Sequence, residues 1–345
     1  MRNAVRQVVD RARGVQPATV SAPATDAGQW FSREEAIMGT AIRVEVWNTD
    51  RAAADAAIDA VMEEMHRIDR AMSPFKPDSE LSRINREAAH QAVPISAELF
   101  SLLARSIEYS ELSDGAFDIT FAAAGNLYDY RNGQKPDDAT LATACAAIGY
   151  QDLILDPQRL TVRFARRGMQ IDLGGFAKGY AVDNGAAILL SRGITNGIVT
   201  AGGDSRIVGD RRGRPWSIGI RHPRRPGEVI AVLPLEDAAL STSGDYERYF
   251  EQDGVRCHHV IDPKTGKSPA DIHSVSVIAP DGLAAEAFAK IVFVLGVGRG
   301  MRLVETQQDV DAVVVDAAGV LHYSSGLLGS NPGAGPLGSA SRVAQ

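Results

Sequence analysis

A fold that mixes α-helices and β-strands is what this sequence predicts, on three observations. Ile42, Val44 and Val46 alternate with Arg43 and Glu45, the period of a half-buried strand. Ile58, Val61, Met62, Met65, Ile68 and Met72 recur at helical spacing over 50–71. Between 171 and 183 an apolar strand end passes through Gly174-Gly175 into a second helical pattern. Such glycines let backbone approach a ligand closely, and the following helix offers free N–H groups to an anion. An ordinary tight turn before a helix reads the same way.

Length and charge narrow the possibilities. The chain has 345 residues, 45% of them hydrophobic, which suits one large domain or two intimate ones. A formal charge of −7 argues against a general nucleic-acid binder and leaves a small anionic ligand open. Cys145 and Cys257 show neither disulfide-framework nor metal spacing. Residues 1–30 carry Arg2, Arg6, Arg11 and Arg13 without a continuous apolar run, so a flexible arm on a soluble, cytoplasmic protein with no membrane span is expected.

After the first helix, Pro74 and Pro77 break the pattern and put Phe75 on a loop, where it either stacks on a planar ring or plugs the core. Ala97–Ser113 reads as a helix with Ser96 as its N-cap. Gly115-Ala116-Phe117-Asp118 turns into an extended run, and 137–148 is a short helix. Leu153–Leu155 and Leu160–Phe164 form a hairpin that feeds a strand at Met169–Asp172. Phe176–Ser191 is helical and closed by Gly193, and Gly197–Asp204 is a strand running into a second glycine pair.

Short β runs fill 205–243, and Arg211, Arg212, Arg214, Arg221, Arg224 and Arg225 in the flanking loops read as solvated surface. A docking patch for an acidic partner is the lesser alternative. Ser241–Phe250 reads as a hydroxyl-rich turn. Of the adjacent His258 and His259, at most one enters a site, because neighbours in a strand face opposite sides. Ser274–Ala279 is a strand, and Leu283–Leu295 is apolar almost all round, hence buried. Its Glu286 and Lys290 share a face, and buried charge needs a partner or ligand, so they line a cleft. A last hairpin covers 311–323, and 327–345 is a disordered tail.

Met38-Gly39-Thr40, Met72-Ser73, Ser79-Glu80-Leu81-Ser82 with Asn85, Gly115–Asp118, Asp172–Gly175 with Lys178-Gly179-Tyr180, Ala201–Asp204, Ser241–Tyr246 and His259–Gly266 occur in one order. In that order they resemble the ApbE-type FAD:protein FMN transferases, over roughly 36–326. The resemblance implies an α+β, T-fold-related domain over 31–326, made of two interlocked subdomains with FAD in the cleft between them. It implies that a Ser or Thr hydroxyl of an acceptor flavoprotein attacks the FMN-side phosphorus of FAD and AMP leaves.

By the same resemblance, Met38 and Phe75 contact the isoalloxazine, Phe75 standing where the family often has Tyr. Ala116, Phe117 and Asp118 hold FAD through a turn, Asp172 and Lys178 contact it, and His259 lies beside the pyrophosphate as the expected catalytic base. The family's late helix reads Ala-Asp-Ala-x-Ala-Thr, whose Asp and Thr, with a backbone oxygen near Gly175, bind Mg²⁺. This chain has Ala285-Glu286-Ala287-Phe288-Ala289-Lys290. Gly175 and Glu286 remain as metal ligands, but a charged lysine has no lone pair to give. The expectation is therefore that the Lys290 ammonium takes the cation position, held by Glu286 and carbonyls near Gly175. Transfer with altered or lost Mg²⁺ dependence is the leading reading; a non-catalytic FAD carrier or regulator and an FAD pyrophosphatase are the alternatives. The oligomeric state and the acceptor are left open.

Overall fold

The computed structural model describes residues 28–328. Of the expected tail at 327–345, Leu327 and Leu328 instead end a short helix and the rest lies outside that range, as do all but the last residues of the expected arm.

The described residues open with a hairpin, β1 (Gln29–Ile37) and β2 (Thr40–Asn48), which pair from Gln29 with Asn48 down to Ile37 with Thr40. The sequence reading had no strand before 41. Met38 and Gly39 turn the corner with φ of 55° and 70°, the doubly positive geometry that matches the twist of two-residue hairpins. Asp50 caps α1 (Arg51–Met72) by accepting from the Ala52 and Ala53 amides, and α2 (Glu80–Glu87), β3 (Val93–Pro94) and α3 (Ala97–Leu112) follow. Short helices α4 (Ala122–Gly125) and α5 (Asp138–Cys145) lead to the β4 (Leu153–Asp156) and β5 (Thr161–Phe164) hairpin. Then come α6 (Ala177–Ser191), β6 (Gly197–Ala201), β7 (Asp204–Val208), β8 (Trp216–Arg221), β9 (Val229–Leu235) and β10 (Ala239–Gly244). The chain continues as β11 (Tyr249–Gln252), β12 (Val255–His258), β13 (Ile272–Ala279), α7 (Gly282–Glu305), β14 (Asp311–Asp316), β15 (Leu321–Tyr323) and α8 (Ser325–Leu328). Among the described residues no helix is long and apolar enough to cross a membrane.

Among these elements one eight-stranded sheet runs β1-β2-β6-β7-β10-β13-β14-β15, antiparallel throughout. Helices α1, α6 and α7 pack on one face; the β8–β9 ribbon closes the other around Trp216, Ile220, Leu233 and Leu235. One hydrophobic core joins the sheet residues Val44, Val199 and Val277 to Leu81, Leu99 and Phe117 of the smaller helical part. The architecture is α+β, with strands and helices segregated into layers as that class requires. Arg67 stitches the helices together: it bonds Glu64 on its own helix and Glu98 on α3, while Tyr180 and Asn184 of α6 donate to those same two carboxylates.

Three expectations are corrected. Met169–Asp172 is not a strand, because a side chain replaces the neighbouring strand: Asn85 Nδ2 donates to Ile171 O at 2.9 Å and Asn85 Oδ1 accepts from Ile171 N at 2.8 Å. Ser241–Gly244 is no turn but an interior strand, paired with β7 on one side and β13 on the other. The arginines are not a uniformly solvated surface. Arg211 lies 4.6 Å from the rings of both Trp30 and Trp216, and Arg224 grips the buried Asp245 through both guanidinium nitrogens at 2.7 and 2.5 Å. In addition α7 runs past the expected 295, resuming after Gly296 breaks its helical geometry.

Asn85→Ala strips Ile171 of both partners, and two buried backbone groups left unpaired cost about 1–3 kcal/mol each before water re-enters. Urea unfolding is expected to show a loss of at least 2 kcal/mol, on the order of that cost; a loss below about 0.5 kcal/mol would show that the Asn85 amide is dispensable.

Candidate active site

The centre of the molecule is built by two helices that touch. A Cβ on Gly179 would lie 2.2 Å from Gly282 O, and one on Gly282 would lie 2.5 Å from Gly179 O, so α6 and α7 cross at a distance only glycine permits. Asp281 and Asp183 anchor the start of α7, accepting from the Ala284 amide and from the Gly282 and Leu283 amides respectively. Burial pushes the Asp183 carboxyl up to about 6. This crossing places the Glu286 side chain against the first turn of α6.

Glu286 is fully buried. Its Oε2 accepts from Gly179 N at 2.8 Å and its Oε1 pairs with Lys178 Nζ. Lys178 Nζ also lies 2.6 Å from Asp204 Oδ2, and Asp204 Oδ1 accepts from the Ser241 hydroxyl. One ammonium therefore bridges two buried carboxylates, which hold its pKa above the usual lysine range against the opposing effect of burial. The Glu286 carboxyl is pushed up, chiefly by burial and then by Asp204.

Lys290, one helical turn further on, does not pair with Glu286 as expected. Lys178 has taken that carboxylate, and Lys290 Nζ donates instead to Ser243 Oγ at 2.7 Å. Its stem lies against the glycine pair: a Cβ on Gly175 would be 3.3 Å from Lys290 Cε. Burial and the neighbouring Lys178 lower its pKa. Ser241 and Ser243, two apart in β10, face the same side, and both meet this cluster.

His259 lies next to these charges. Its backbone N donates to Arg248 O at 3.1 Å, and its ring Nδ1 is buried without a hydrogen-bond partner. Burial, followed by the Lys290 charge and then by His258, Arg248 and Lys178, drives its pKa down to about 3, so the ring is neutral near pH 7. His258 turns the other way: its Nε2 meets Pro269 O at 2.8 Å, and the ring packs edge-on to Phe293.

The remaining predicted residues divide in two. Asp172 Oδ1 accepts from Gly174 N at 2.5 Å, and burial raises its carboxyl while Arg248 and Lys178 draw it down. Met38 sits at the β1–β2 corner, partly packed on the core. Phe75 does not plug the core; it is 88% exposed, on a loop pinned by Ser79 Oγ to Ser73 O at 2.7 Å and Ser82 Oγ to Pro74 O at 3.2 Å. The serines of that stretch thus work as loop fasteners. By contrast the side chains of Ala116, Phe117 and Asp118 face inward. Phe117 packs with Tyr109 and Phe176, and the Asp118 carboxylate is consumed by Thr120 N, Thr120 Oγ1 and Tyr150 N. Only their backbone is left to face a ligand.

Sequence reasoning missed the roles of Asp204, Ser241, Ser243 and Arg248. The first three had a signal, a carboxylate beside the second glycine pair and hydroxyls at strand period. Arg248 had none: it is exposed, and it reaches from the base of the β11–β12 hairpin to Gly39 O at 3.4 Å.

Comparison with known proteins identifies the family. The model of the ApbE family matches residues 38–314. The "FAD:protein FMN transferase" of Treponema pallidum is 32% identical over 317 residues, 86% of this chain and 88% of its own length. That of Vibrio cholerae is 34% identical over 276 residues, 78% of this chain and 81% of its own. Among solved structures, the ApbE protein of Thermotoga maritima superposes with a TM-score of 0.80 at 33% identity, covering 86% of this chain and 97% of that one. The flavin transferase ApbE of Vibrio cholerae gives 0.78 at 29% identity, covering 87% and 99%.

His259 also predicts a pH dependence. The folded chain protonates this ring only near pH 3, whereas the unfolded chain does so near 6.5, so its neutral form contributes full stability above pH 6.5 and that contribution is lost as pH falls toward 3. Asp183 acts in the opposite sense but equally in parent and variant. His259→Gln is expected to flatten the rise of unfolding free energy between pH 3 and 6.5 relative to the parent; identical slopes would contradict a depressed His259.

Proposed function

The chain belongs to the ApbE family, and from that premise we propose that it carries FMN from FAD to a Ser or Thr hydroxyl of an acceptor protein, releasing AMP. The observation that carries this reading is the neutral His259 ring, its Nδ1 unpartnered, set beside the cationic groups Lys290, Arg248 and Lys178. In the proposed step the acceptor Oγ forms a bond to the FMN-side phosphorus, and the bond from that phosphorus to the bridging oxygen breaks toward AMP. The hydroxyl proton passes to the His259 ring and then to solvent. A ring held near 3, chiefly by burial and then by those cations, is too weak a base without bound substrate. The charges of a bound diphosphate offset the same cations that depress it, and so raise its basicity when substrate is present.

Phe75 is proposed to stack on the isoalloxazine, since its loop is fastened while its ring has no protein partner to leave. Met38 would contact the same ring system from the hairpin corner. Asp172 and the Gly174-Gly175 backbone would meet the nucleotide, and the backbone of 116–118 would close the turn around it. Lys178 serves this site at one remove, because both its close partners are protein carboxylates.

A magnesium ion, which the family implies, does not fit these residues. Glu286 has both oxygens engaged, by Lys178 and by Gly179 N, and the Lys290 stem lies along Gly175, where a carbonyl ligand would be needed. A divalent ion about 4 Å from that ammonium would be repelled by roughly 8 kcal/mol at an effective dielectric of about 20. No step is therefore routed through a metal.

Incubation with FAD and a candidate acceptor, followed by acceptor mass and AMP assay, tests the reaction. Acceptor gaining one FMN with stoichiometric AMP is the expected result; free FMN with AMP would show hydrolysis, and intact FAD bound to the protein would show a carrier. His259→Ala is expected to slow AMP release by about 100-fold or more while FAD affinity stays within about threefold. Phe75→Ala is expected to weaken FAD binding by roughly 2- to 10-fold, read by flavin fluorescence.

A further inference from the structure

We infer that Lys290 is a built-in cation: its ammonium, fixed by Ser243, supplies in this chain the positive charge that a divalent ion would bring to the bound diphosphate. This rests on the reading of the cleft as an FAD site, and goes beyond it in assigning how the charge is supplied.

Four observations converge. Lys290 is half-buried on a helix apolar over most of its surface, yet none of the carboxylates in the cluster is within ion-pair distance of its ammonium, because Lys178 already joins Asp204 to Glu286. A half-buried ammonium without a carboxylate partner either loses its proton or is stabilised by an anion from outside. Its Nζ is aimed by a single neutral hydroxyl, Ser243 Oγ at 2.7 Å, which orients it without neutralising it. Its stem runs along Gly175, in the turn at the entrance to α6. Finally, it is the charge that most depresses the adjacent His259 ring, so it lies close to the group proposed to take the proton.

The charges of the cluster support this division of labour. Lys178 stands against Asp204 and Glu286, one cation for two anions, and Lys290 makes the set neutral. The arriving diphosphate then meets a fixed ammonium in low-dielectric surroundings. A second positive ion would have to share that space with Lys290. The helix backbone sets the ammonium beforehand, so no ion has to be recruited.

The test is a binding measurement that does not depend on transfer. FAD affinity of the parent, followed by flavin fluorescence, is expected to change less than twofold between EDTA and excess Mg²⁺. Mn²⁺ added to the parent with FAD is expected to keep the paramagnetic resonance spectrum of the free ion. A Glu286→Asp, Lys290→Thr double variant is expected to immobilise about one Mn²⁺ per chain and to bind FAD in a metal-dependent way. Lys290→Met, which keeps the stem and removes the charge, is expected to lose at least tenfold in FAD affinity with no rescue by Mg²⁺. Parent affinity that collapses in EDTA and returns with Mg²⁺, or a bound Mn²⁺ signal in the parent, would overturn the inference while leaving FAD binding itself demonstrated. Lys290→Met binding FAD as tightly as the parent would also overturn it. Parent that binds FAD but leaves the acceptor unmodified refutes transfer alone, so the two readings fail separately.

Discussion

Glu286 has no access to water, and the centre of the molecule is arranged around holding its charge. A carboxylate buried this deeply is tolerated only with a cation and further hydrogen bonds, and removing one partner of such a pair typically costs about 3–5 kcal/mol. Lys178 and the Gly179 amide supply both, and they do so because the glycine contact between α6 and α7 brings the two helices nearly into backbone contact. Asp204, delivered by β7, draws the same lysine toward the sheet, and Ser241 of β10 satisfies Asp204 in turn. Two helices and two strands are thereby fixed to one ionic chain.

Function follows from what that chain leaves over. With Lys178 committed to the protein, Lys290 is the lysine of the cluster whose charge has no carboxylate beside it, and His259 is the ring that feels it most among the nearby charges. On the proposed reading the fold separates structural charge from charge directed at a ligand, although the two lysines lie within one small region. The proposed anion would meet cations that are already fixed, which is the preorganisation on which phosphoryl transfer depends.

Much of this was legible in the residues. The alternation at 42–46, the helical stripe at 58–72, the Ser96 cap and the hairpin at 153–164 were all local patterns, and local patterns survive into the structure. What escaped was non-local. No spacing rule announces that Asn85 will stand in for a strand beside Ile171, or that Lys178 will outcompete Lys290 for a carboxylate on the same helix face as Lys290. The i,i+4 relation between Glu286 and Lys290 was real, but such proximity is worth only a few tenths of a kcal/mol, less than a short contact to another helix in a dry interior. Ser241 and Ser243 read as a turn because hydroxyls favour turns; in fact their two-residue period placed both toward α7 from a central strand.

Phe117 and Asp118 show a different gap: the motif did not reveal that their side chains serve the interior, which leaves their backbone for the proposed contact with the ligand. Met38 and Phe75 differ from them in being left partly or wholly exposed at a hairpin corner and on a fastened loop. The central claim, that this cleft holds the FAD diphosphate with the protein's own ammonium, is tested most directly by a crystal structure of the FAD complex grown with Mn²⁺. The account predicts Lys290 Nζ within hydrogen-bond distance of a phosphate oxygen and no anomalous peak between Gly175 and Glu286; an anomalous peak there, with Lys290 turned away, would contradict it.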